Sequence, residues 1–210
     1  MLTVTAPGLF SQNQRSGIIR ELTGEVELKP AGASAFVPAR SGDEVALNTV
    51  ISTGFKGTAI IEVGSSNITV RPLTRLSLAE IQISSGTENV DMNLQSGRIK
   101  VDVKPPAGTK TNFTVQSPSA TASVRGTVFD FDTRNLKVTE GKVSFRGSRG
   151  MTVPVIAGHE SYVGKESKVE HPLTIVFDNL QPSPPAGAGT VAGGSDPSTN
   201  KGFIVELVYP

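Results

Sequence analysis

The stretch Val124-Arg125-Gly126-Thr127-Val128-Phe129-Asp130-Phe131 decides how the chain is read. β-Branched and aromatic residues dominate it, as in pleated, half-buried strands. It also holds an arginine and a glycine where a plain strand needs neither. In a regular strand, alternation would set Arg125, Thr127, Phe129 and Phe131 on one face and Val124, Val128 and Asp130 on the other. An arginine sharing a face with two phenylalanines cannot stay unpaired in a core. Either Gly126 breaks the alternation, or Arg125 is buried and satisfied by a carboxylate or by carbonyl groups.

The same alternation spreads outward. Ile18, Leu22, Val26 and Leu28 are spaced by even numbers, and from there to about Phe177 short period-2 segments are separated by Gly, Pro, Asn and Ser clusters. That pattern predicts an all-β domain of many short strands, a sandwich or a solenoid-like architecture, with little or no helix. Leu76 and Leu78 have one parity and Ile81 and Ile83 the other, so a β-bulge or a corner is expected between them. Gly24-Glu25-Val26, Gly97-Arg98-Ile99 and Gly141-Lys142-Val143 repeat one device, a glycine opening a strand with one wet and one dry face. Their unequal intervals exclude a solenoid period.

Residues 1–16 read as a tail, 17–180 as the β domain, 181–202 as a Pro/Gly-rich linker or loop, and 203–210 as a returning strand. A domain of this size buries roughly 70% of its unfolded surface and needs no staples. Twenty basic and 19 acidic residues leave a charge of +1, which gives no electrostatic case for nucleic acid. Cysteine is absent, so thiolate chemistry, disulfides and Cys-based zinc sites are excluded. No apolar run reaches the ~20 residues of a membrane-spanning helix. The first residues lack a signal-peptide pattern, and a signal peptide is expected to have been removed from this chain.

A search for chemistry returns little. Neither His159, in an Ala-Gly-His-Glu turn, nor His171 has a nucleophile and an orienting group in its sequence context. No nucleophile elbow, P-loop, zinc-protease or dinucleotide motif occurs. Asp130 and Asp132 share a strand face roughly 7 Å apart and read as solvent-facing carboxylates, because calcium loops need more oxygen donors. No catalytic residue, metal site or cofactor is expected. A carbohydrate-binding face would need exposed aromatics, yet Trp is absent and the nine Phe fall mostly at core parity.

The run Ala122-Ser123-Val124-Arg125-Gly126-Thr127-Val128-Phe129, followed by Val138-Thr139-Glu140-Gly141-Lys142-Val143, resembles the hallmark of the FecR domain family. Gly24-Glu25-Val26, the turns Ser41-Gly42-Asp43-Glu44 and Ser52-Thr53-Gly54, and Val70-Arg71-Pro72-Leu73-Thr74 fall in the expected order, so the likeness spans about residues 20–165. The resemblance implies a non-enzymatic, extracytoplasmic β domain, in the periplasm or at the cell surface, that binds an envelope protein partner or serves as a structural module. In the best-known members the domain relays transporter occupancy in iron uptake to a sigma factor across the inner membrane. Those members carry an anti-sigma segment and a transmembrane helix that this chain does not show. The first alternative is therefore the periplasmic part of such a regulator, and the second is a carbohydrate-binding β-protein. Val124, Arg125, Gly126, Thr127, Phe129 and Gly141 are expected to organise the fold. Arg125 is expected to clamp a distant turn, with Asp43 and Glu44 of the matched Gly-Asp turn as its partners.

Overall fold

The computed structural model describes residues 16–170 apart from residue 85. The expected tail (save Ser16), the 181–202 segment, the 203–210 strand and His171 lie outside the described residues. Within them the chain forms seventeen strands and no helix. The first nine are β1 (Gly17–Thr23), β2 (Val26–Lys29), β3 (Val37–Pro38), β4 (Glu44–Val45), β5 (Val50–Thr53), β6 (Thr58–Val63), β7 (Ser66–Val70), β8 (Arg75–Ser84) and β9 (Thr87–Ser96). The rest are β10 (Arg98–Val103), β11 (Lys110–Gln116), β12 (Ala120–Val124), β13 (Val128–Asp132), β14 (Asn135–Glu140), β15 (Lys142–Gly147), β16 (Thr152–Ile156) and β17 (Glu160–Tyr162).

Two sheets share these strands. The first runs β17-β14-β13-β10-β7-β6-β1-β4 and the second β16-β15-β12-β11-β9-β8-β5-β2-β3. Pairing is antiparallel except between β9 and β11. Alternate residues of both sheets turn inward onto one apolar core, from Ile61 and Ile68 in the first sheet to Leu94 and Phe113 in the second. Phe131 of β13 and Phe145 of β15 meet edge to face across it, with centroids 5.9 Å apart. Such pairs contribute about 0.5–1.5 kcal/mol beyond their buried area. The parity slip in β8 is a bulge, with the register shifting between Leu78 and Glu80.

The chain changes sheets where the glycine device recurs. Gly24 lies between β1 and β2, Gly97 between β9 and β10, and Gly141 between β14 and β15, and at each the chain passes from one sheet to the other. Gly126 marks a fourth such corner, between β12 and β13, with φ of 112°. The stretch Val124–Phe131 is therefore two strand ends joined by a corner. Ala122 and Val124 point into the core before it, Phe129 and Phe131 after it, and the buried Thr127 donates its hydroxyl to the Lys142 carbonyl at 3.2 Å. Of the two possibilities open in the sequence, Gly126 breaks the alternation and Arg125 is exposed.

Candidate interaction surface

The residues that tie the two sheets together polar-to-polar are not those expected. Arg125 forms no ion pair among the described residues. Asp43 and Glu44 sit at the β4 edge of the first sheet, while Arg125 closes β12, deep within the second. Asp43 instead accepts the Arg40 backbone N–H at 2.7 Å, closing its own turn. The clamp between Arg125 and this turn is absent.

A carboxylate does that work elsewhere. Glu88 of β9 is buried, on the inward face shared by Val90, Met92 and Leu94. Its Oε2 accepts the Ser65 hydroxyl at 2.6 Å, the Ser65 backbone N–H at 3.2 Å and the Thr111 hydroxyl at 3.3 Å. Ser65 belongs to the β6–β7 turn of the first sheet and Thr111 to β11 of the second, so one side chain pins both. A buried carboxylate needs such donors.

A second pin builds the tip of the molecule. The buried Thr53 hydroxyl donates to the Arg71 carbonyl at 2.7 Å and accepts the Thr74 N–H at 2.9 Å. The Thr74 hydroxyl donates to the Arg98 carbonyl and accepts the Arg98 N–H, each at 3.0 Å. Between these anchors the chain bulges out as Pro72-Leu73, and the Leu73 N–H reaches the Gly54 carbonyl at 3.2 Å. Leu73 is held at a φ of 57°. That left-handed conformation costs a non-glycine residue about 1–2 kcal/mol and persists only where the surroundings impose it. The strain is not offset by burial, since Leu73 is 61% exposed and Phe55, in the turn its N–H reaches, 77%. Among the six described phenylalanines, Phe113, Phe129, Phe131 and Phe145 are core as expected, Phe36 is half-buried under Lys29 and Arg75, and Phe55 alone is exposed.

A trough starts at Leu73. Its first part, about 520 Å³, is lined by Arg71, Leu73, Arg98 and Arg134 among others. It continues into a second hollow of about 480 Å³ bordered by Lys137, Glu160 and Tyr162, the two sharing Arg98, Asp132 and Asn135. Asp130 pairs with Arg71 at 3.1 Å and Asp132 with Arg98 at 3.5 Å, so the two carboxylates face solvent within ion pairs. Burial alone would push the Asp132 carboxyl up. Hydrogen bonds from the Asn135 side chain and from the Arg134 and Asn135 N–H groups, with Arg98 nearby, outweigh that and hold it below its ordinary value. His159 is half-buried, its Nδ1 3.1 Å from the Ala157 carbonyl. No group of three or more His, Cys, Asp or Glu side chains comes together for a metal among the described residues.

Residues 49–144 match the family model described as FecR protein. That span opens just before β5, includes the Leu73 turn and the Arg125-Gly126 corner, and ends in β15. Two crystal structures of a protein named as a candidate anti-sigma factor from Parabacteroides distasonis ATCC 8503 are similar in fold. One has 14% identity and a TM-score of 0.47 over 63% of this chain and 65% of that one. The other has 16% identity and a TM-score of 0.48 over 64% and 66%. The chain thus spans just under two thirds of their length. No curated protein matches the sequence. No helix among the described residues is long and apolar enough to cross a membrane.

The sequence signals for this surface are partial. The Thr-Gly and Arg-Pro-Leu-Thr turns stand out in the FecR resemblance, but nothing local says that their leucine and phenylalanine stay outside. That follows from the threonine pair beneath them, which joins residues 21 and 24 apart in the chain.

Proposed function

We propose that this chain is a non-catalytic, extracytoplasmic FecR-type module that binds an envelope protein through its Leu73 tip. The observation that carries this is an exposed leucine kept in a strained backbone beside an exposed phenylalanine. Apolar anchors surrounded by a polar rim are the usual energetic centre of a protein interface. The ion-paired trough supplies that rim: its Arg71 and Arg98 keep further donors while their charges are balanced. The pinned threonines fix the tip in advance, which lowers the ordering cost of binding. Val124, Gly126, Thr127, Phe129 and Gly141 serve this reading as the corner that aligns β13 and β15 with the rest, and the exposed Arg125 is not one of its contacts. Relay to a sigma factor, which the FecR resemblance implies for other members, would use the same tip to read the partner's state.

The test is site-specific photo-crosslinking in the native cell. A photoreactive residue at position 55 or 73 should give one discrete protein adduct, and one at the equally exposed Met151 should not. Leu73→Asp should abolish the adduct formed from position 55. No adduct, or equal adducts from all three positions, would sink the proposal.

A further inference from the structure

The outer face of the second sheet carries a different surface. Across neighbouring strands, Thr114 of β11 faces Ser123 of β12, and Ser123 faces Ser144 of β15. The flanking row sets Gln116, Thr121, Arg146 and Thr152 side by side. On the other flank Arg125 follows Val124, the ladder partner of Val143, and shares a hollow of about 450 Å³ with Lys142 and Asn112. A second hollow of about 410 Å³ holds Thr121, Arg146 and Thr152, and both hollows are lined by Ser123 and Ser144. Neither is lined by a carboxylate. Asp91, which pairs with Thr114 across the ladder, marks the acidic limit of the strip on β9.

None of Arg125, Lys142 and Arg146 forms an ion pair among the described residues. Lys142 and Arg146 lie four residues apart on one strand, roughly 13 Å. That distance is too long to close on a single carboxylate, so the ligand must repeat its charge. Between the cations stand hydroxyl and amide side chains, which donate and accept alike. Sugar hydroxyls match them, and on a charged sugar chain the cations take the place of the aromatic rings that a neutral one needs; a run of acidic peptide side chains offers acceptors alone. The hollows hold no exposed aromatic ring, so the base stacking that single-stranded nucleic acid uses is missing.

We propose that this strip binds a linear acidic polysaccharide, with Arg125, Lys142 and Arg146 contacting its carboxylates and Thr114, Thr121, Ser123 and Ser144 its hydroxyls. It also assigns a contact to the arginine that the Val-Arg-Gly-Thr run exposes at its corner. The charges set the affinity, which therefore falls with salt.

Affinity electrophoresis of the full chain tests it, with alginate as the polyuronate and dextran as the neutral control. Alginate should retard the chain, dextran should not, and retardation should weaken at 0.5 M sodium chloride, about five times the salt at which the screening length is near 10 Å. The triple variant Arg125→Ala, Lys142→Ala, Arg146→Ala should bind alginate at least tenfold more weakly, whereas Arg71→Ala with Arg98→Ala should bind as the parent does. All three sites are exposed, and an unchanged melting curve shows that the variant is folded. Absence of retardation, or retardation undiminished in the triple variant, would overturn the proposal. Equal binding to polyglutamate, DNA or phosphatidylglycerol vesicles would overturn its glycan specificity.

Discussion

The two outer faces of the sandwich treat their charges in opposite ways. On the first sheet, most basic side chains are matched along and between strands, Lys100 excepted: Arg20 with Glu62 and Lys137 with Glu160, each at 2.7 Å, Arg71 with Asp130, and Arg98 with Asp132. The Arg20 fork grips Glu62 through both carboxylate oxygens, and those hydrogen bonds hold the carboxyl below its usual range. On the second sheet Arg125, Lys142 and Arg146 stand among hydroxyls with no carboxylate in contact. Exposed pairs contribute little stability, so the first face gains chiefly register and solubility. Charges left unmatched are free for a ligand. One face is thus electrostatically closed, and recognition there falls to the apolar tip at its end, while the other is electrostatically open.

That contrast requires the sheets to be locked back to back, and the largest effect is expected at the lock. Glu88→Ala removes an acceptor from the Ser65 and Thr111 hydroxyls and from the Ser65 N–H. Bonds to a charged group contribute about 1.5–3 kcal/mol each, and orphaned buried donors add a penalty. Urea unfolding should show a loss of roughly 3 kcal/mol, with Glu88→Gln recovering part of it. A loss under about 1 kcal/mol would mean that the sheets are held by apolar contact alone.

Next comes the corner that sends the chain from the closed face to the open one. Gly141 has φ of 79°, and a Cβ there would stand 2.8 Å from the Gly126 carbonyl oxygen and 2.9 Å from the Thr127 hydroxyl. Gly141→Ala should lose about 2 kcal/mol, from the left-handed backbone together with this crowding. A thermal melt matching the parent would show that the two corners are not packed on each other.

A smaller, pH-dependent effect belongs to the closed face. The folded Asp132 carboxyl titrates below its ordinary value of 3.8, so its stabilisation is fully present above that value and is lost as pH falls towards the lowered one. Asp132→Asn should therefore melt below the parent at pH 6, and the gap should narrow steadily below pH 4. A gap constant from pH 6 to pH 2.5 would assign the effect to shape and not to charge.

Much of this fold is legible in the alternation of apolar residues, and the bulge in β8 follows from a single parity slip. The glycine repeat was visible too, though not its meaning, because a strand opening and a sheet-to-sheet corner look alike until it is known which strands pair. β5 and β8 are neighbours with two strands of the other sheet between them in the chain. No local pattern encodes such long-range pairing. The burial of Glu88 had one trace, its shared parity with Val90, Met92 and Leu94, which its charge obscured. Arg125 misleads for the converse reason. Parity counted straight through Gly126 sets it beside Phe129, although the corner separates the two.

The smallest expected change in stability is at Arg125 itself, and it discriminates most sharply between the faces. A buried arginine clamping a turn would cost on the order of 3–5 kcal/mol to remove. An exposed one with no ion pair should cost under about 0.5 kcal/mol, the range of ordinary surface substitutions. Arg125→Ala should accordingly melt with the parent while weakening retardation by alginate, and Arg125→Lys should keep most of it, since a point charge suffices where no bidentate partner exists. A large loss of stability would return this residue to the fold. Stability kept with binding lost would place it on the open face, where its charge is in use by a ligand and by nothing in the chain.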